Sequence, residues 1–201
     1  MSETIEEITS VMGAERIGNA PARIDWILTD SRSLCFPEET LFFALKTKRN
    51  DGHKYIHELY ERGVRNFVVS DLPENGEAYA DTNFLKVANP LRALQRLVAK
   101  HREQFQIPVV GITGSNGKTI VKEWLYQLLS PERIITRSPR SYNSQIGVPL
   151  SVWLLNEHTE LGIFEAGISE MGEMEALRPI IQPTIGVLTN IGGAHQENFT
   201  S

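Results

Sequence analysis

Gly111-Ile112-Thr113-Gly114-Ser115-Asn116-Gly117-Lys118-Thr119 is the stretch that decides how the second half of this chain folds. It ends in the G-K-[ST] of a phosphate-binding P-loop, in which glycines let the backbone turn tightly and bring its N–H groups up to phosphate oxygens. Its flanks match that reading. Val109 to Thr113 is a continuous apolar run of the kind buried on both faces of a parallel sheet. Beyond the loop, Val121, Trp124, Leu125, Leu128 and Leu129 recur at helical spacing, and Ser130-Pro131 ends the run. Strand, glycine loop and helix in that order aim backbone donors and a helix N-terminus at one point. Gly114, Ser115, Asn116 and Gly117 would form the cradle, Lys118 would reach the outer phosphates of a nucleotide, and Thr119 would offer its hydroxyl to magnesium. The bland alternative is a glycine-rich turn with an exposed lysine.

Downstream, Glu165 falls at the carboxyl end of a predicted strand over Leu161 to Ala166, the edge where ligand groups collect in open parallel sheets. A carboxylate there suits a hard cation, and it equally suits a strand end facing solvent. A further strand is predicted over Ile185 to Ile191, with His195 in the loop beyond it, either as a ligand or as a solvated histidine. Arg137, Arg140 and Tyr142 precede Asn143-Ser144-Gln145-Ile146-Gly147-Val148-Pro149. Such cationic and amide groups take phosphate or carboxylate, and a polar loop leading into a helix explains them as well.

The first half alternates strand and helix. Thr4 and Glu7 form a capping box ahead of Ile5, Ile8 and Met12, and Gly13 stops that helix. Trp26 to Thr29, Leu41 to Leu45, Phe67 to Ser70 and Phe84 to Val87 read as strands, with a helix over His53 to Arg62. Ser31 and Arg32 lie in a polar segment that is either a turn or a contact for a substrate phosphate, and His53 reads as a helix-start residue. Pro90 opens a longer helix through Leu91, Leu94, Val98 and Phe105. The expected class is α/β: a small N-terminal α/β substrate domain over 1–88, a linker helix region over 89–107, and an incomplete P-loop ATPase-type parallel-sheet domain over 108–201. The second domain has few strands, and the sequence stops at Thr200-Ser201 just after a glycine-rich loop, so a piece of a longer protein is expected.

Composition narrows the function classes. The 20 basic and 25 acidic residues leave a net charge of -5, without the positive field that a duplex-binding surface needs, so no nucleic acid is expected. The longest apolar run, Val148 to Leu155, is interrupted and too short to insert in a membrane. The lone cysteine, Cys35, and the absence of a basic, apolar leader favour the cytoplasm. There is no serine elbow and no cysteine cluster with zinc spacing.

Taken together, these motifs resemble the Mur ligase family, the ATP-dependent amide synthetases of peptidoglycan precursor assembly. Thr29-Asp30-Ser31-Arg32, Leu41 to Leu45 with Asp51-Gly52-His53, and Gly63 to Val69 resemble the domain that holds the UDP-sugar end of the substrate. The 111–119 loop, Tyr142 to Pro149, Glu165-Ala166-Gly167, and Thr189 to His195 resemble the central ATPase domain. Within the family, Asn143 to Pro149 and Asp51-Gly52-His53 look most like the branch that adds D-alanyl-D-alanine, and Leu34 to Asn50 is similar to the version fused to a C-terminal alanine racemase. A fused racemase would need pyridoxal phosphate, for which these residues provide no site.

The resemblance implies ATP and magnesium as ligands, with UDP-N-acetylmuramoyl tripeptide and D-alanyl-D-alanine as substrates. It implies Lys118 on the outer phosphates, Thr119 and Glu165 on magnesium, and His195 at a second magnesium position. It further places Ser31 and Arg32 on the uridine diphosphate side, with Asn143 and Asn190 near the reacting phosphate or the nucleotide. Two departures stand out: Ile120 replaces a usual threonine, and Thr47 stands where glycine is common. The 201 residues are expected to bind ligands without completing ligation on their own. Two other readings stay open. A folylpolyglutamate-type synthetase shares the ATPase features, although Asp30-Ser31-Arg32 argues against it, and a non-catalytic module would use nucleotide only as a structural ligand.

Overall fold

The structure, a computed structural model, describes residues 3–48, 50–75, 78–167 and 172–192. The chain divides into two compact units, Met1–Leu97 and Val98–Ser201. The division falls inside the helix Pro90–Arg102.

The amino-terminal unit runs β1 (Glu3–Thr4), α1 (Ile5–Met12), β2 (Glu15–Ile17), β3 (Arg23–Ile24), β4 (Trp26–Leu28), β5 (Thr40–Phe43), α2 (Ile56–Glu61), β6 (Asn66–Val69) and β7 (Asn83–Lys86), then enters α3 (Pro90–Arg102). Strands β4 to β7 pair in parallel and β2 adds antiparallel to β7, in the order β2-β7-β6-β5-β4. Every residue of β5 and β6 is buried, as expected of central parallel strands covered on both faces. Their side chains meet Ile56 and Leu59 of α2 in a core that includes Phe42, Phe67 and Phe84.

Local chemistry fixes α1. Thr4 Oγ1 accepts the Glu7 N–H at 3.3 Å, and Glu7 Oε2 accepts the Thr4 N–H at 3.0 Å. Gly13, at φ 63°, ends the helix in the left-handed conformation. The helix expected from His53 opens instead as a 3-10 turn over Gly52–Tyr55, because Asp51 accepts the His53 N–H at 3.0 Å and tightens the entry to α2. A Cβ at Gly52 would lie 2.8 Å from the Leu45 nitrogen, so the chain crosses there only as glycine. His53 does more than start a helix. Its Nε2 accepts the Ser70 N–H at 3.1 Å, which puts the ring proton on Nδ1, 2.6 Å from Asp51 Oδ1.

The carboxyl-terminal unit continues with β8 (Val109–Thr113), α4 (Lys118–Leu129), β9 (Ile135–Arg137), α5 (Gly147–Val152), β10 (Leu161–Glu165), α6 (Glu173–Ile181) and β11 (Ile185–Leu188). Among the described residues its four strands are all parallel, in the order β11-β8-β10-β9. Val110, Ile112, Leu161 and Ile163 form the core, against which Val121, Leu125 and Leu129 of α4 pack. The apolar face predicted for α4 is wider than the face it buries: Trp124 is 63% exposed and Leu128 74%. Phe105 lies beyond the end of α3 yet is buried. The strand predicted to Ile191 stops at Leu188, since Thr189 and Asn190 turn to bond the 113–116 loop. No helix among the described residues is long and apolar enough to cross a membrane.

The capping box makes α1 testable. Thr4→Ala removes the side-chain acceptor and should lower the unfolding free energy by about 1 kcal/mol at pH 7 in urea titrations. The Thr4 hydroxyl, and then its N–H, hold the Glu7 carboxyl below its ordinary range. A depressed carboxyl pKa stabilises the fold above the unfolded value of about 4.3 and loses that contribution as the pH falls through the folded value. The gap between the two proteins should therefore narrow below about pH 4.

Candidate functional site

Three strand ends meet at the carboxyl edge of the second sheet. Glu165 is in register with Ile112, and Leu188 with Thr113, so the segments after β8, β10 and β11 leave the sheet side by side. The loop after β8 is backed by the one after β11. Ser115 N–H donates to the Asn190 carbonyl at 3.0 Å and Asn116 N–H to Asn190 Oδ1 at 2.9 Å. Ser115 Oγ accepts the Gly192 N–H at 2.9 Å, and Thr189 Oγ1 donates to the Asn116 carbonyl. Gly114, at φ 132°, permits this contact: a Cβ there would sit 2.1 Å from Thr189 Oγ1.

Gly117, at φ 81°, turns the chain into α4, so the first amides of the helix point outward with no carbonyl behind them. Lys118 Nζ folds back over the loop onto the Gly114 carbonyl at 2.6 Å. Thr119 Oγ1 donates to Glu165 Oε2 at 3.0 Å. The solvent-facing alternative for Glu165 is wrong, because its side chain is fully buried. The carboxylate is instead part of a cluster. Lys122, also fully buried, places Nζ 2.9 Å from Glu165 Oε1. That approach lies off the line of a hydrogen bond, so Oε1 has a charge beside it and no aimed donor.

The other candidates sort by location. Asn143 lies in the loop before α5, and its carbonyl accepts the Gly167 N–H at 2.7 Å, which joins that loop to the end of β10. Asn190 backs the loop from the opposite side. Ser31 and Arg32 lie in the amino-terminal unit, within the 3-10 turn Ser31–Ser33. Ser31 is buried and its carbonyl accepts from Arg62 Nη1 at 2.8 Å. Arg32 is exposed, and its guanidinium pairs with Asp30 at 2.6 Å, a contact that holds the Asp30 carboxyl below its usual range. His195 lies outside the described residues. Of the two departures, Ile120 is exposed on α4. At Thr47, Oγ1 accepts the Asn50 N–H at 3.0 Å.

The donor set fits a magnesium nucleotide. It combines the uncapped first amides of α4, a lysine lying over the loop, a hydroxyl, and a carboxylate whose Oε2 meets that hydroxyl. Two family models cover most of the chain: the Mur ligase family catalytic domain over residues 23–102, and the Mur ligase middle domain over 112–201. The chain belongs to the Mur ligase family. Among Mur ligases, UDP-N-acetylmuramoyl-tripeptide--D-alanyl-D-alanine ligase of Bacillus subtilis is 33% identical over 89% of this chain, and that of Synechocystis is 38% identical over 86%. The chain spans only 38% and 37% of those proteins. The crystal structure of MurF from Acinetobacter baumannii superposes with a TM-score of 0.88 at 29% identity, covering 99% of this chain and 43% of that one. The MurF ligase of Thermotoga maritima, solved with ADP, gives 0.72 at 31% identity over 84% of this chain and 38% of its own.

The close contact at Gly114 yields a prediction. Gly114→Ala must push Thr189 away, and it also strains a positive φ, so it should destabilise the protein by at least about 2 kcal/mol. Gly186→Ala is the control, with open space where a Cβ would project. Equal melting temperatures for Gly114→Ala and the unsubstituted protein would contradict the packing described.

Proposed function

We propose that the protein containing this chain is an ATP-dependent ligase that adds D-alanyl-D-alanine to UDP-N-acetylmuramoyl tripeptide, with residues 108–201 holding the nucleotide and residues 1–88 the UDP end of the substrate. The observation that carries this reading is the Thr119–Glu165 contact at the mouth of a glycine loop, in a chain whose relatives bear that activity in their names. The carboxyl-terminal unit is then a P-loop ATPase-type domain. Its ADP-bound relative from Thermotoga supports that assignment. A free, exposed Cys35 suits the reducing cytoplasm, where UDP-linked precursors would be met.

The chemistry explains the residues. A carboxylate is a poor electrophile, because its charge repels the incoming amine and its oxygen leaves badly. Transfer of the γ-phosphoryl group of ATP to the peptide carboxylate breaks the bond to ADP, which leaves, and gives an acyl phosphate; the amine of D-alanyl-D-alanine attacks its carbonyl carbon, the C–O bond to phosphate breaks with its electron pair going to phosphate, and the amine's proton is released to solvent as the amide forms. In this reading the first amides of α4 cradle the phosphates, and Lys118 leaves the Gly114 carbonyl to meet the outer oxygens. Thr119 and Glu165 would hold magnesium, with His195 at a second metal position. Magnesium, when bound, supplies positive charge to the phosphate oxygens. Asn143 and Asn190, on two sides of the loop, would orient the reacting groups. Ser31 and Arg32 would contact the uridine diphosphate, with Arg32 exchanging Asp30 for a phosphate.

The reading is tested with ligands. UDP-N-acetylmuramoyl tripeptide and magnesium ATP should each raise the melting temperature, and folate should not; stabilisation by folate alone would overturn the substrate assignment. Lys118→Ala should weaken ATP binding about tenfold or more, and equal affinity would remove Lys118 from the phosphates. Glu165→Gln should reduce the magnesium-dependent part of nucleotide affinity far more than the metal-free part.

A further inference from the structure

Lys122 is the one member of the site cluster to which neither the motifs nor the proposed reaction gives a role. It lies one helical turn beyond Lys118 on α4, with no exposed side-chain surface. A buried ammonium is costly unless its donors are met, and here they are. Its Nζ donates to the Ser138 carbonyl at 2.8 Å and to the Arg140 carbonyl, and it lies 3.3 Å from Glu123 Oε1 and 2.9 Å from Glu165 Oε1. Ser138 returns to the same carboxylate-bearing residue, its Oγ accepting the Glu165 N–H at 3.1 Å. Arg140 has φ 49°, a left-handed conformation unfavourable for a residue with a Cβ, and Lys122 donates to the carbonyl of this strained residue. Three positions further on is Asn143.

We propose that Lys122 is a positioning residue: it holds Glu165 so that Oε1 is spoken for by charge and Oε2 faces Thr119, and it pins the 138–140 turn that delivers Asn143. This rests on the reading of Thr119 and Glu165 as the magnesium side of a nucleotide site. Lys122 touches neither nucleotide nor metal. It acts through Glu165, in the way that groups behind metal ligands set their orientation. A lysine serving only to fill space in α4 would be replaceable by methionine, which has similar length and no charge.

The test is a double-mutant cycle read by nucleotide binding. ATP affinity is measured with magnesium and with EDTA for the unsubstituted chain, Lys122→Met, Glu165→Gln and the double variant. Lys122→Met should lose about tenfold of the magnesium-dependent enhancement while EDTA affinity changes little. In the Glu165→Gln background, Lys122→Met should cost almost nothing more, since its route to the metal is already gone. Additive losses, or equal losses with and without magnesium, would overturn the proposal. An unchanged enhancement in Lys122→Met would do the same. If Lys122→Met does not fold, Lys122→Gln, which keeps a donor without the charge, is read in the same way. Absence of any magnesium enhancement in the unsubstituted chain would instead strike at the nucleotide reading itself.

Discussion

The level ends of β8, β10 and β11 are the constraint on which the second unit depends. Parallel ladders put Glu165 beside Ile112 and Leu188 beside Thr113, and each strand then hands its next residues to the same place. A one-residue slip in either ladder would turn every side chain on that strand to the opposite face. Glu165 would leave Thr119, and Asn190 would leave the loop amides it supports. The register is held by an apolar core, with Ile112 and Ile163 fully buried. Core packing and site geometry are thus one problem at this edge.

Electrostatics gives the edge its character. Glu165 and Lys122 are both withdrawn from water, and each would be costly alone. Together with the hydroxyl of Thr119 and the carbonyls of Ser138 and Arg140, they tie α4, β10 and the turn after β9 into one rigid shell. The Gly114–Gly117 loop itself is tethered from the β11 side by Asn190 and Thr189. Thr119, Glu165 and Lys122 are thus fixed against one another by their own contacts, whereas Lys118 rests on the Gly114 carbonyl.

What could be read from the sequence was whatever had a local cause. Helix α1 was legible because its cap, apolar face and terminal glycine are all within ten residues, and β8 with α4 because a glycine motif separates two unmistakable apolar patterns. Strands β2 and β9 were not seen, being three residues long at sheet edges and lacking alternation. Trp124 and Leu128 share the helical period of Val121 and Leu125 yet are exposed, because helical period alone does not say which apolar stripe meets the sheet. Lys122 was missed since a helical lysine ordinarily faces water; its one signal was its place beside Val121, Leu125 and Leu129 on the helical wheel. The His53–Ser70 bond joins two separate elements of the amino-terminal unit, and no local pattern announces it.

We propose that nucleotide phosphates are received at the Gly114–Thr119 turn, with magnesium on the Thr119–Glu165 side. The most direct measurement is the amide NMR spectrum of the labelled protein titrated with ATP, first in EDTA and then with magnesium. The largest shifts are expected at the amides of Gly117, Lys118 and Thr119, with Glu165 and its neighbours responding chiefly when magnesium is added. Shifts concentrated elsewhere in the chain, with those residues unmoved at saturating nucleotide, would contradict it.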